Sequence, residues 1–164
     1  PGAGSRGISL LIVDPANTPG LRVGRVLEKV GMPSQDTCEL FFDDCEIPVA
    51  DVLGGVEGRG MYQLMAQLPY ERAIIACIAD GFMQRALALT VEYTQSRQAF
   101  GQPVFEFQAN RFKLAELATQ CRVARSFVDD VVAQRIAGTL DTVGASMAKS
   151  WTTQAYCDLV DACV

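Results

Sequence analysis

Leu68-Pro69-Tyr70-Glu71-Arg72 sets one carboxylate between an aromatic ring and a guanidinium, just ahead of the apolar run Ala73-Ile74-Ile75-Ala76. In the first turn of a helix such a carboxylate serves the helix dipole, and beside an arginine it forms half of a surface pair. Facing an enclosed apolar wall it becomes a general base, because a carboxylate deprived of water holds a proton more tightly. A second group runs from Ser96-Arg97-Gln98-Ala99-Phe100-Gly101-Gln102-Pro103 to Gln108. Its plain reading is a helix end and a turn, closed by Gly and Pro. Its chemical reading is an anion clamp, in which Arg97 takes a pyrophosphate while Phe100 and Gln108 meet a ring system. The glycines of Gly54-Gly55-Val56-Glu57-Gly58-Arg59-Gly60 lack the Gly-Lys-Ser/Thr of a P-loop and read as a flexible loop. Tyr62, just behind them, is either core or ligand contact. Spacing alone leaves these alternatives open.

The elements that must position these residues change character near residue 53. Before it, short apolar runs are broken by Gly and Pro. Gly7 to Val13 predicts a largely buried strand, Leu21 to Val30 a second and Thr37 to Asp43 a third, with turn chemistry at Asp14 to Gly20. After it the periodicity is helical. A short helix is expected from Met61 to Gln67, and a new one starting at Pro69, since proline suits a first helical turn. That second helix runs to about Ser96, a third from Phe105 to Ala137 with Gly138 as its stop, and a last from near Asp141 to the end. Strands segregated from wide-faced helices give an α+β class: residues 1–53 the end of a sheet domain, residues 54–164 an antiparallel helical bundle.

Composition narrows the chemistry. The chain has 164 residues, about half of them apolar, and a net charge of −5. Nucleic acid is not an expected partner, because phosphate binding needs clustered Lys and Arg. No contiguous apolar run reaches the roughly 18 residues of a membrane span, so none is expected. The start, Pro1 to Arg6, has no apolar stretch behind a basic end, so it reads as the interior of a longer chain. There is no histidine, and none of the six cysteines forms a Cys-x-x-Cys pair. Zinc sites of the usual kind thereby lack their ligands, and histidine-activated nucleophiles are excluded within this chain. The cysteines read as small core hydrophobes.

Three segments in order resemble the acyl-CoA dehydrogenase family. "GISLLIVDP" (Gly7 to Pro15) resembles a family strand leading to a Pro-Gly turn. "SQDTCELFFDDCEIPVADVLG" (Ser34 to Gly54) is similar to the passage out of its β-domain. "YTQSRQAFGQPVFEFQANRFKLAELA" (Tyr93 to Ala118) resembles its C-terminal signature.

The resemblance implies the end of a barrel-like middle β-domain, a truncated C-terminal helical domain, and FAD as cofactor. It implies a homotetramer that oxidises an acyl-CoA thioester to the trans-2-enoyl-CoA. Electrons would pass to an electron-transferring flavoprotein, in bacterial cytoplasm or mitochondrial matrix. Glu71 falls where the long-chain and isovaleryl branches carry their base. Arg97 and Gln108 fall where the family binds a neighbouring subunit's FAD, with Phe100 beside the flavin. Tyr62, Pro69, Tyr70 and Arg72 fall along the acyl-CoA channel. An oxidase of the same superfamily and a non-catalytic helical assembly module remain the alternatives. The N-terminal helical domain and several flavin-pocket segments of the family have no counterpart in this sequence, so the piece alone is expected to be inactive.

Overall fold

The computed structural model describes residues 4–164. Pro1 to Ala3, part of the start read as a chain interior, lie outside the described residues. The chain divides into two compact units, one ending at Leu64 and the other running Met65–Val164.

The first unit is built on an antiparallel pair, β1 (Leu21–Val26) and β2 (Cys38–Phe42). Leu21 stands opposite Phe42, Arg22 opposite Phe41 and Val23 opposite Leu40, after which a bulge shifts the register to Val26 opposite Cys38. The Thr18-Pro19-Gly20 turn delivers β1 into this pairing. Gly20 has φ +83°, and a Cβ there would stand 2.0 Å from the carbonyl oxygen of Asp43. Only glycine fits, because the amide of Asp43 must come in to donate to the Gly20 carbonyl at 3.0 Å. Across the pair, the Arg22 guanidinium lies 4.1 Å from the Phe41 ring centroid.

The strand expected over residues 7–13 does not form. That stretch makes one isolated bridge, Leu11 to Val52, flanked by bonds from Ile12 N to Asp51 O and Leu53 N to Leu10 O. Nor is it buried: Leu11 is 50% and Ile12 60% exposed. β-propensity reports how well side chains fit a half-covered pleat, and a strand also needs a ladder partner. Here the partner segment turns away within a few residues, through the 3₁₀ turns Val49–Asp51 and Leu53–Gly55.

Most of the chain is helical. The long helices are α1 (Gly60–Ser96), α2 (Gln108–Ile136) and α3 (Thr142–Cys163). Between α1 and α2 lies a two-residue hairpin, β3 (Gln98–Ala99) with β4 (Gln102–Pro103), and then a 3₁₀ turn, Val104–Glu106. The expected break before Pro69 is absent: α1 runs through it. Pro69 has no N–H to give the Met65 carbonyl, and its ring crowds that oxygen, a cost of about 3 kcal/mol. Packing of the turns that follow offsets it. Glu71 therefore sits at the start of the fourth turn of α1, not in a first turn, beyond the main reach of the helix dipole.

Those following turns build the core. Ala73 and Ala76 of α1 pack with Val128 and Val131 of α2 and Ala148 of α3. Further along, Met83 packs with Leu117, Cys121, Ala124 and Leu159. The order of these contacts makes α1 and α3 parallel and α2 antiparallel to both. α3 begins where expected: the Asp141 carboxylate caps it, accepting from the Gly144 amide at 2.6 Å.

One salt bridge reaches into this core from its edge. Asp80 is 1% exposed, and Arg125 Nη2 approaches its Oδ2 to 2.5 Å. Gln84 Nε2 donates to Asp80 Oδ1 at 3.4 Å and to the Cys121 carbonyl at 3.3 Å. Burial pushes the Cys77 and Cys121 thiols up, and the Asp80 charge pushes both in the same direction. Among the six cysteines only Cys121 is buried, while Cys157 is exposed, so core placement does not describe them all.

α1 is long and apolar enough to cross a membrane by length and composition, with mean hydropathy 1.5 over its most apolar stretch. Averaging over a window finds what a count of contiguous runs does not, and by itself it does not show a span. Asp80 and Gln84 interrupt the run without lowering the average far. The core helix of a water-soluble protein passes the same test.

Two outcomes follow from this packing. Leu159→Ala, at a fully buried position, should cost about 2–5 kcal/mol in urea unfolding. Ile136→Ala, at a largely exposed one, should stay within about 0.5 kcal/mol. Iodoacetamide at neutral pH should label Cys157 first and Cys121 last by mass spectrometry, because a raised thiol holds less reactive thiolate.

Candidate active site

At 100° per residue, nine residues along a helix is two and a half turns. Asp80 faces the bundle core, so Glu71 faces the opposite way, and it is exposed. Below it on that side lie Ile75, Ile78, Phe82 and Leu89, between 40% and 50% exposed. Glu71 is thus the carboxylate at the head of an uncovered apolar stripe. Among the described residues it has no ion-pair or hydrogen-bond partner.

Its neighbours are tied elsewhere. The Arg135 guanidinium lies 4.9 Å from the centre of the Tyr70 ring. Arg72 is half-buried and its Nη1 donates to Ser146 Oγ at 2.8 Å. Arg72 has five N–H donors, so this bond leaves others open. Pro69 is half-buried beside them. Tyr62, in the first unit, is half-exposed with the Arg59 guanidinium 5.0 Å from its ring centroid. Arg135 and Ser146 carried no signal in the sequence; they emerge only when α2 and α3 fold back.

The second group assembles on the β3–β4 hairpin. Its two turn residues, Phe100 and Gly101, have φ +50° and +82°, as a type I′ turn requires. Glycine takes this readily; phenylalanine does not, and it is an uncommon place for a bulky side chain. The ring is 97% exposed and meets Phe107 edge-on at 6.2 Å. The hairpin is closed at its base by Val104 N donating to Arg97 O at 2.8 Å. The Arg97 side chain is exposed and without an ion-pair partner among the described residues. Gln108 opens α2, whose N-cap, Phe107, supplies no side-chain cap. The first amides of α2 are therefore left as donors, a feature suited to anionic oxygens. One connection thus presents a free cation, a helix start and a bare aromatic ring.

A family model described as "Acyl-CoA dehydrogenase, C-terminal domain" matches residues 58–164. The chain belongs to the acyl-CoA dehydrogenase family. It is 41% identical over 160 residues to the long-chain specific acyl-CoA dehydrogenase, mitochondrial, of Mus musculus, covering 98% of this chain and 37% of that protein. It is 40% identical over 139 residues to isovaleryl-CoA dehydrogenase, mitochondrial, of Oryza sativa subsp. japonica, covering 85% of this chain and 34% of that one. The crystal structure of an acyl-CoA dehydrogenase from Geobacillus kaustophilus superposes with a TM-score of 0.91 at 44% identity, covering 96% of this chain and 41% of that one. The chain therefore spans between about a third and two fifths of the length of these family members.

The strained turn gives a direct test. Phe100→Asn supplies the Asn-Gly pair that type I′ turns favour. It should stabilise the chain by about 0.5–1 kcal/mol by denaturant midpoint, a gain that unstrained turn substitutions commonly give. No gain would mean that the turn carries no strain at Phe100.

Proposed function

We propose that this chain is the end of the β-domain (residues 1–53) and the helical domain (residues 54–164) of a flavin-dependent acyl-CoA dehydrogenase. On this reading the β segments are the last part of a barrel-like sheet. The whole protein removes two hydrogens from an acyl-CoA thioester to give the trans-2-enoyl-CoA. It works as a homotetramer, passes its electrons to an electron-transferring flavoprotein, and resides in bacterial cytoplasm or the mitochondrial matrix.

The observation that carries this reading is Glu71 at the head of the apolar stripe on α1, in a chain of this family. An α-proton of a thioester is weakly acidic, so its removal needs a base held in place. An acyl chain laid along Ile75, Ile78 and Phe82 would cover the stripe and expel water from around Glu71. A carboxylate stripped of water is a stronger base, and water is kept from the reacting carbon. Glu71 then takes the α-proton on a carboxylate oxygen. Pro69, Tyr70 and the open N–H groups of Arg72 line the approach of the thioester.

FAD fits the hairpin connection. Arg97 and the amides opening α2 suit its pyrophosphate, Gln108 supplies hydrogen bonds, and Phe100 offers a ring face. When bound, FAD supplies the hydride acceptor for the β-carbon. The positive φ at Phe100 supports a binding role, since strain of that kind concentrates at ligand clamps.

Two measurements test this in the full-length protein. Arg97→Ala removes a charge-assisted phosphate contact, worth about 1.5–3 kcal/mol. FAD retention on dilution should fall about ten- to a hundredfold, and unchanged retention would sink the assignment. Glu71→Gln keeps the shape but cannot take the proton. Acyl-CoA binding should hold while flavin bleaching slows by at least about 10²-fold. Bleaching at the wild-type rate would move the base to another residue.

A further inference from the structure

Glu71 is exposed and pairs with nothing among the described residues, yet a base has to point one way. Its own helix holds it poorly on the N-terminal side, because Pro69 gives no hydrogen bond to the Met65 carbonyl. Helical residues fan by 100° each, so the side chains of Tyr70 and Arg72 leave α1 on either flank of Glu71. Each flank is tied down. Tyr70 lies under Arg135, in the last turn of α2, at 4.9 Å. Arg72 Nη1 donates to Ser146 Oγ, near the start of α3, at 2.8 Å, and Ser146 in turn donates to the Thr142 carbonyl at 2.5 Å.

Arg135 and Ser146 sit at the two ends of one tight corner. The connection between α2 and α3 is held by Thr139 N and Leu140 N, both donating to the Gln134 carbonyl. Asp141 caps the helix that follows. Both ties thus come from a single braced corner, at the same end of the bundle where Ala73 and Ala76 pack on Val128 and Val131.

The direction of the charges matters. One arginine is the chain neighbour of Glu71 and another lies over the ring of Tyr70, and neither comes within ion-pair distance of Glu71. Arg72 is drawn away by a hydroxyl and Arg135 by a ring. A surface helix needing only stability would gain from pairing the carboxylate. Here the cations are spent on the neighbours, and the carboxylate keeps its capacity to accept a proton.

We infer that Ser146 and Arg135 are positioning residues for Glu71, acting through Arg72 and Tyr70 to fix the direction of the carboxylate without neutralising it. The inference rests on the reading of Glu71 as the base. Small displacements of a reacting group are costly, on the order of 10²-fold for about 1 Å. Loss of two flexible ties should therefore register as a smaller but measurable loss of rate.

The test uses the full-length, FAD-loaded protein with isovaleryl-CoA and palmitoyl-CoA as probes. Flavin bleaching is followed by rapid mixing for Ser146→Ala, Arg135→Gln and the double variant. Dissociation constants for acyl-CoA, unfolding temperature and the isotope effect with α-dideuterated substrate are measured alongside. The double variant should bleach about tenfold more slowly, with acyl-CoA affinity held and the isotope effect enlarged. Ser146→Thr, which keeps the hydroxyl, should restore the rate. A wild-type bleaching rate in the double variant would overturn the inference. So would a loss confined to affinity, or one that follows the unfolding temperature and is not rescued by threonine. Glu71→Gln separates the two levels. If it stops bleaching while the double variant bleaches normally, only the positioning role fails. If Glu71→Gln itself bleaches normally, the base reading fails and the positioning role with it.

Discussion

A carboxylate shut away from water must keep its counter-charge, and Asp80 takes its from Arg125 on the facing helix. Arg125 is about half exposed, so the pair is screened on one side, but removing Arg125 would leave Asp80 buried without its counter-charge. The contact therefore favours one rotation of α1 against α2, the one its apolar contacts also require. Once Asp80 is turned inward, everything half a turn away is turned outward. Glu71, the isoleucines beneath it and the half-exposed Phe82 inherit their direction from a residue that has no part in the proposed chemistry. The alanines at 73 and 76 and Met83 follow the same phase from the other side.

The helical domain was legible because its signals are local. Apolar residues recur at helical spacing, Asp141 stands where a cap should, and Phe-Gly between short flanks marks a tight turn. What the sequence concealed were features that depend on partners far along the chain. Asp80 and Arg125 are separated by 44 residues and read singly as ordinary surface charges. Ser146 looks like any serine near the start of a helix until Arg72 reaches it. Residues 7–13 have strand composition, but no composition reveals whether a second strand runs alongside.

Pro69 shows a different kind of ambiguity. Proline opening a helix and proline embedded in one look alike over a short window, and the favourable case is the natural expectation. The structure takes the unfavourable one. The helix tolerates it because the next three turns are anchored on two other helices. The candidate site was legible as a set of residues, since Glu71, Arg97, Phe100 and Gln108 all sit in recognisable motifs. Its organisation was not, because the neighbours of Glu71 are held by elements that arrive 60 to 75 residues later.

The uncovered stripe on α1 has a consequence for the thermodynamics of the chain by itself. Apolar surface already wet in the folded state adds nothing to the heat capacity change on unfolding. A chain that leaves Ile75, Ile78, Phe82 and Leu89 about half in water should show a smaller change than the usual 12–15 cal/mol/K per residue, roughly. Its stability curve is accordingly broad and shallow. Its tolerance of cold and of heat would change together once anything covers that face.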